Sequence, residues 1–315
     1  RGSLTLFLKH GYIPNPYSIY ENIFSLEPGT ILEVSLANKT PKIKKYWDAS
    51  RVVKESSLKT FKKSPQEAVE ELESLIRKTI NGQMISDVPL GAFLSGGIDS
   101  STIVSLMQSE SSTPIKTFTI GFNEKGFDEA KFAKSIANHL GTDHTELYIT
   151  AEDAMNVIPE MPSIFCEPFA DPAQIPNYIV SKLASQDVKV VLSGDGGDEL
   201  FSGYSRYDYV DRLWKKLSYL PFPIKKILSK SLRSLAGKSL YSSKANKNIL
   251  EIKRKLFSAS DIFGYQTLDE LYIHVVTAIS HSEEVVIGGY HKDTKLDRIR
   301  PDFGIANPIQ SMMAT

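Results

Sequence analysis

Val88-Pro-Leu-Gly-Ala-Phe-Leu-Ser-Gly-Gly-Ile-Asp-Ser100 is the stretch on which the fold turns. The apolar run to Leu94 predicts a strand. Ser95-Gly96-Gly97 predicts a small-residue turn, and Ile98 to Met107 a helix. A helix start leaves backbone N–H groups unpaired, and the helix dipole adds positive potential there. Such a turn suits a phosphate or pyrophosphate. It is not a Walker A loop, because no lysine follows the glycines. Asp99 stands in the turn instead, which points to a metal ion as the neutralising charge. Taken alone, the turn reads equally well as a plain strand-to-helix connection.

A second stretch changes that balance. Val188-Lys-Val-Val-Leu-Ser-Gly-Asp-Gly-Gly-Asp-Glu-Leu-Phe-Ser-Gly203 is again a β-branched strand running into Ser-Gly, with Asp195, Asp198 and Glu199 close behind. Two strand ends, each offering Ser-Gly and a carboxylate, meet the needs of a shared Mg·ATP site. Glycines let a backbone approach its ligand closely, and carboxylates supply the hard oxygen donors Mg²⁺ prefers.

Working outward, strands are expected near 89–94, 116–121, 144–149 and 188–193, and helices near 99–109, 128–140 (ending at Gly141) and 172–186. This alternation predicts an α/β fold, a parallel sheet with helices on both faces. If the first three strands wind outward and the fourth returns beside the first, the order is third, second, first, fourth. Ligands then bind beyond the carboxyl ends of the first and fourth strands, where the order reverses. Ser64-Pro65-Gln66-Glu67 is a capping box with proline at the first helical position. Val69, Leu72, Leu75, Ile76 and Ile80 make the apolar face of the helix that follows. Residues 1–48, with Pro14, Pro16, Pro28-Gly29 and Pro41, read as hairpins or an extended arm. From about 205 the chain reads as helical, with breaks at Pro221, Pro223 and Gly237. Arg300 to Gly304 and beyond carries no clear pattern.

Composition narrows the class. The 315 residues are 41% hydrophobic and 23% charged, with 37 basic and 37 acidic side chains, so whole-chain charge predicts no polyanionic partner. The charge is uneven, however: residues 212–255 hold 13 Lys or Arg against one acid, Glu251. A helical pair with a solvated basic face accounts for this, and a polyanion-docking surface is the sharper alternative. The single cysteine, Cys166, excludes an intrachain disulfide and is expected as a buried small hydrophobe. No apolar run has transmembrane length and no leader pattern opens the chain, so a cytoplasmic location is expected.

Longer motifs carry a resemblance. SGGIDSS at 95–101 and LSGDGGDELFSGYSRY at 192–207 closely resemble the synthetase domain of glutamine-dependent asparagine synthetases. So do Phe127-Asp128-Glu129, Leu140-Gly141-Thr142-Asp143-His144 and Glu167-Pro168-Phe169-Ala170-Asp171-Pro172. Gly11-Tyr12-Ile13-Pro14 and Leu26-Glu27-Pro28-Gly29 look like the last hairpins of that family's glutaminase domain. The resemblance implies a pyrophosphate-loop ATP-binding fold of the adenine nucleotide alpha hydrolase type. It divides the chain into a glutaminase remnant or linker arm, 1–60, and a synthetase domain, 61–315.

The reaction it implies has two steps: ATP adenylates the aspartate side chain, and ammonia displaces AMP to give asparagine. Ser95, Gly96, Gly97 and Ser100 would cradle pyrophosphate, and Asp99 and Asp198 would hold Mg²⁺. Leu94, Ile120, Ser193 and Gly194 would line the adenosine pocket, partly through backbone atoms. Asp195 stands where many members carry glutamate and would serve formation of the adenylate. Arg1 in place of an N-terminal cysteine implies free ammonia as the nitrogen source. An ending at Ala314-Thr315, before the family's phosphate-reaching lysine, leads to the expectation of ATP binding with little turnover. Another carboxylate acceptor, such as a surface-polysaccharide sugar or a β-lactam precursor, stays open, as do a catalytically silent ATP-binding fragment and a homodimer. A tRNA-modifying ATPase is disfavoured, because the loop at 192–207 points elsewhere.

Overall fold

A computed structural model describes residues 1–37, 39–59, 61–123, 128–236, 247–294, 305 and 307–314, with the side chains of 247–250 and 254 excepted. Phe127, the break expected at Gly237, the stretch 300–304 and Thr315 lie outside the described residues.

In chain order the elements begin with helix α1 (Gly2–His10) and hairpin strands β1 (Thr30–Glu33) and β2 (Lys42–Lys45), followed by α2 (Ala49–Leu58) and α3 (Pro65–Gln83). Next come β3 (Leu90–Phe93), α4 (Ile98–Glu110), β4 (Lys116–Phe122), α5 (Ala130–Leu140), β5 (Asp143–Ile149), α6 (Ala151–Val157) and α7 (Met161–Ile164). The rest is α8 (Gln174–Ala184), β6 (Val190–Leu192), α9 (Gly197–Phe201), α10 (Ser205–Ser218), α11 (Phe222–Ala236), α12 (Lys247–Ile262), α13 (Leu268–Val276), α14 (Ser282–Val285) and α15 (Pro308–Met313). The chain forms two compact units. One holds 18–23 and 58–201; the other holds 1–17, 24–57 and 202–315.

The first unit is built on a parallel sheet in the order β5-β4-β3-β6. Counted along the chain, that is third, second, first, fourth, the order expected from the strand pattern. Alternate side chains on these strands enter two different cores, as a period of two requires. Ala92, Leu94 and Leu192 join Val104 and Met107 of α4, Ala133 and Ala137 of α5, and Ile80 of α3. Phe93, Phe118, Ile120 and Val191 join Val180 and Ala184 of α8 on the other face. Burial on both faces suits the largely apolar β3 and the β-branched and aromatic residues of β4.

Ser64 caps α3 as expected, its hydroxyl and the Glu67 carboxylate each taking the other residue's backbone N–H. The apolar face is only partly used. Ile76, Ile80 and Met84 reach the core, while Val69, Leu72 and Leu75 stay exposed, because only the C-terminal half of α3 lies against the layer of α4. Residues 18–23 join this unit through Glu167, whose carboxylate accepts the Ile19 N–H at 2.8 Å, and through Tyr20, whose hydroxyl donates to the Cys166 carbonyl at 2.8 Å. Cys166 itself is exposed, not buried as expected. It sits in the irregular segment between α7 and α8, which turns the Phe165 and Phe169 rings toward each other instead.

Between β4 and β5, the Thr117 hydroxyl meets Thr142 Oγ1 at 3.0 Å and His144 Nδ1 at 2.9 Å. His144 Nε2 is buried without a partner, and burial holds the imidazole below its usual pKa against the opposing pull of nearby Glu146. Lys134 of α5 pairs with that Glu146 and adds to the depression. A histidine kept neutral in the fold takes up a proton first in the unfolded chain, so stability falls as pH drops through the ordinary histidine value. His144→Gln is expected to flatten that slope, read from urea midpoints at a series of pH values from 7.5 to about 5.

In the second unit, residues 2–10 are helical, contrary to the hairpin or extended reading of the first 48 residues. Gly11 closes α1 in the left-handed conformation at φ 81°, and Leu6 is buried, with α14 packed against the helix. Two positions that hairpin reading did not weigh produce this result: a glycine at the C-cap, and a small Gly2 that lets the helix lie on the Tyr290 ring. The β1–β2 hairpin is antiparallel, Thr30 opposite Lys45. A helical core gathers Tyr207, Val210 and Leu217 of α10, Leu271 and Tyr272 of α13 and Met312 of α15. Helices α11 and α12 pack on each other, with Lys226 and Lys230 exposed. Lys225 departs from the expected solvated face. It is 5% exposed, donates to the Tyr265 carbonyl at 3.1 Å and lies over the Trp214 ring.

Candidate active site

The site residues named from the sequence, all in the sheet unit, fall at the carboxyl ends of β3, β4 and β6 and in the turns that follow. Strands β3 and β6 are parallel neighbours, Ala92 opposite Leu192, so their turns emerge side by side where the order reverses.

The first turn is organised by two hydroxyls. Ser95 Oγ takes the Gly97 N–H at 3.2 Å and meets Ser100 Oγ at 3.0 Å. Ser100 Oγ in turn accepts the Ser95 N–H at 3.2 Å. Gly96 needs to be glycine twice over. Its φ is +84°, and a Cβ there would stand 2.7 Å from both the Ala133 N and the Phe132 Cβ of α5. Helix α4 then starts at Ile98 with no side-chain cap. Its opening amides and dipole are thus left for an anionic ligand, and the site fits a phosphate on that ground. Leu94 is 1% exposed and lies in the core beneath the turn, so only its backbone is offered to a ligand. Ile120 is half-buried against the Phe118 and Val180 core.

The second turn touches the first. A Cβ on Gly194 would come within 2.6 Å of the Ser100 N and 2.9 Å of the Asp99 carbonyl carbon, so backbone meets backbone there. A Cβ on Gly197 would lie 2.5 Å from the Asp99 Cγ. The Asp99 carboxylate therefore rests on Gly197, the residue directly before Asp198. Asp198, the second carboxylate expected from the sequence to face a cation, follows Gly197 at the start of α9. Among the described residues no three His, Cys, Asp or Glu side chains gather into a metal-binding group. Two carboxylates suit an ion that completes its shell with phosphate oxygens and water, as Mg²⁺ does. Ser193 donates to Asp195 Oδ2 at 2.9 Å and takes the Asp195 N–H at 3.4 Å, which fixes an otherwise exposed carboxylate at the rim. A half-open hollow of about 140 Å³ in the other unit, lined by Glu27, Lys45, Trp47 and Asp48, is too small for a nucleotide.

Two participants escaped the sequence reading. Phe132, which walls Gly96, comes from a helix whose approach no local pattern announces. Gly197 was visible only as one of a Gly-Gly pair; its reason lies in a side chain about a hundred positions away.

The sequence profile of the asparagine synthase family matches residues 71–295, a span that takes in both turns and the whole parallel sheet. The chain belongs to the asparagine synthase family. It is 36% identical over 240 residues to a Methanocaldococcus jannaschii protein named as a glutamine-hydrolysing asparagine synthetase, covering 73% of this chain and 45% of that one. Against the Bacillus subtilis glutamine-hydrolysing asparagine synthetase 1 the identity is 36% over 226 residues, 72% of this chain and 34% of that protein. The chain thus spans less than half the length of these family members. Among solved structures, an NH3-dependent NAD synthetase from Campylobacter jejuni aligns at 12% identity and TM-score 0.31, covering 65% of this chain and 98% of that one. That likeness is too slight to bear on the fold, which rests on the sheet itself. Among the described residues no helix is long and apolar enough to cross a membrane.

Proposed function

We propose that this chain is the ATP-using part of a carbon–nitrogen ligase that adenylates a carboxylate and passes the acyl group to ammonia. The observation that carries this reading is the contact between the two Ser-Gly turns, Gly194 and Gly197 lying on Ser100 and Asp99. The acceptor it favours is the aspartate side chain, since relatives at 36% identity are named asparagine synthetases.

A carboxylate resists attack by an amine because its oxygen is a poor leaving group. In the first step the acceptor carboxylate oxygen attacks the α-phosphorus of ATP, the bond to the β-phosphate oxygen breaks, and pyrophosphate leaves with that electron pair. In the second, ammonia adds to the acyl carbon, the bond to AMP breaks, and the surplus proton is lost to solvent. Mg²⁺, which Asp99 and Asp198 would hold, would supply neutralising charge. Ser95, Gly96, Gly97 and Ser100 hold the β- and γ-phosphates against the uncapped start of α4. Asp99 and Asp198 are the carboxylates that face the cation. The backbone at Leu94, Ser193 and Gly194, with Ile120, borders the adenosine. Asp195, tethered by Ser193, faces the reacting carboxylate. Most of the rate comes from holding reactants in line and countering phosphate charge.

Pyrophosphate release, measured with ATP, Mg²⁺ and ammonium against a panel of carboxylates, tests the proposal. Aspartate-dependent pyrophosphate and asparagine are expected in equal amounts, at a low rate. Release of orthophosphate, or of pyrophosphate only with another acid, would contradict the reaction or the acceptor respectively.

A further inference from the structure

The glycines of the second turn are glycine for different reasons, and one of those reasons concerns function. Gly196 has φ +92° and nothing within 4 Å of a Cβ, so its backbone conformation demands glycine. Gly194 gives clearance to the backbone of α4. Gly197 is neither case. Its φ lies outside the left-handed range, and it opens helix α9, a position any residue can occupy. All three atoms nearest its absent Cβ belong to one side chain: Asp99 Cγ at 2.5 Å, Oδ2 at 2.7 Å and Oδ1 at 2.9 Å. The Asp99 carboxylate occupies the volume a Cβ would fill.

We propose that Gly197 is a positioning residue for Asp99. By lacking a side chain it lets the carboxylate lie down on the second turn, against the residue that directly precedes Asp198, and any larger residue turns that carboxylate away. The inference rests on the reading of Asp99 as a cation-facing group. The displaced atoms are the free end of a flexible side chain, not backbone, so the fold yields easily. Alanine also favours a helix over glycine. Gly197→Ala should therefore melt at or above the parent temperature while binding Mg·ATP more weakly. Stability and binding would move in opposite directions, which a merely structural glycine cannot produce.

The test is calorimetric titration of the chain with ATP, in Mg²⁺ and in EDTA, on the parent, Gly197→Ala and Asp99→Asn, with melting curves for each. Expected for Gly197→Ala is a loss of about 10- to 100-fold in Mg·ATP affinity, the scale for disturbing a group that orients a metal ligand. Its affinity for ATP in EDTA should be unchanged and its melting temperature no lower. Parent-like Mg·ATP binding by Gly197→Ala, with Asp99→Asn impaired, overturns the positioning role and leaves the ligase reading intact. A lower melting temperature with equal loss in Mg²⁺ and EDTA overturns it in favour of a structural glycine. Parent-like Mg·ATP binding by Asp99→Asn, or none by the parent, overturns both.

Discussion

Asp99→Asn is expected to remove ATP-dependent pyrophosphate release, by about 10²-fold or more, the scale for deleting one preorganised electrostatic contact. The side chain is half-buried in the first turn of α4, its carboxylate against Gly197. Asparagine keeps the shape and loses the charge. The fold should lose no more than about 1 kcal/mol, the share of an acid in a helix's first turn. The sign of the binding effect reports the role. With Mg²⁺ present, Asp99→Asn should bind ATP more weakly. In EDTA it should bind no worse than the parent, because a bare carboxylate facing phosphates repels them. A fixed loss in both conditions would assign Asp99 to helix capping. Initial rates of pyrophosphate release and paired titrations read these outcomes.

Gly194→Ala is expected to damage fold and site together. The new Cβ would stand 2.6 Å from the Ser100 N and 2.9 Å from the Asp99 carbonyl carbon. These are backbone atoms at the start of a helix whose Val104 and Met107 are fully buried, so α4 cannot easily retreat. Overpacking of this kind costs about 1–3 kcal/mol. Relief comes by parting the two turns, which places the Asp198 carboxylate farther from Asp99. Urea denaturation should show a lowered midpoint with unchanged slope, and Mg·ATP binding should fall below that of Gly197→Ala. A stable Gly194→Ala protein with parent-like binding would mean that the turns do not meet as described.

Much of the sheet unit was legible because its signals are local and redundant. The strands at 90–93 and 116–122 are largely buried, and these two, like the more exposed 143–149 and 190–192, are each set off by a turn with its own chemistry. The Ser64 capping box and the Gly141 C-cap, at φ 72°, fix helix ends within a few residues. The strand order followed from alternation together with the assumption that three strands wind outward and the fourth returns beside the first. What failed was whatever depends on distant partners. Helix α1 carries only a glycine stop, and its burial is decided by α14, nearly three hundred residues away. Val69, Leu72 and Leu75 repeat with helical period, yet periodicity cannot say how far along a helix its neighbour extends. Cys166 was judged by its residue type, but an irregular segment leaves it exposed. At the site, the two Ser-Gly turns and their placement after strands were visible in the sequence. The duty of Gly197 toward Asp99 could not be read from either motif by itself.

The central claim is that two turns from neighbouring strands hold one nucleotide. A crystal structure of the chain with Mn²⁺ and α,β-methylene ATP tests it most directly. The account predicts the β- and γ-phosphates on the amides of Gly96 to Ser100 and one metal ion coordinated by the carboxylates of both Asp99 and Asp198. A metal bound by neither aspartate, or phosphates seated away from the start of α4, would contradict it.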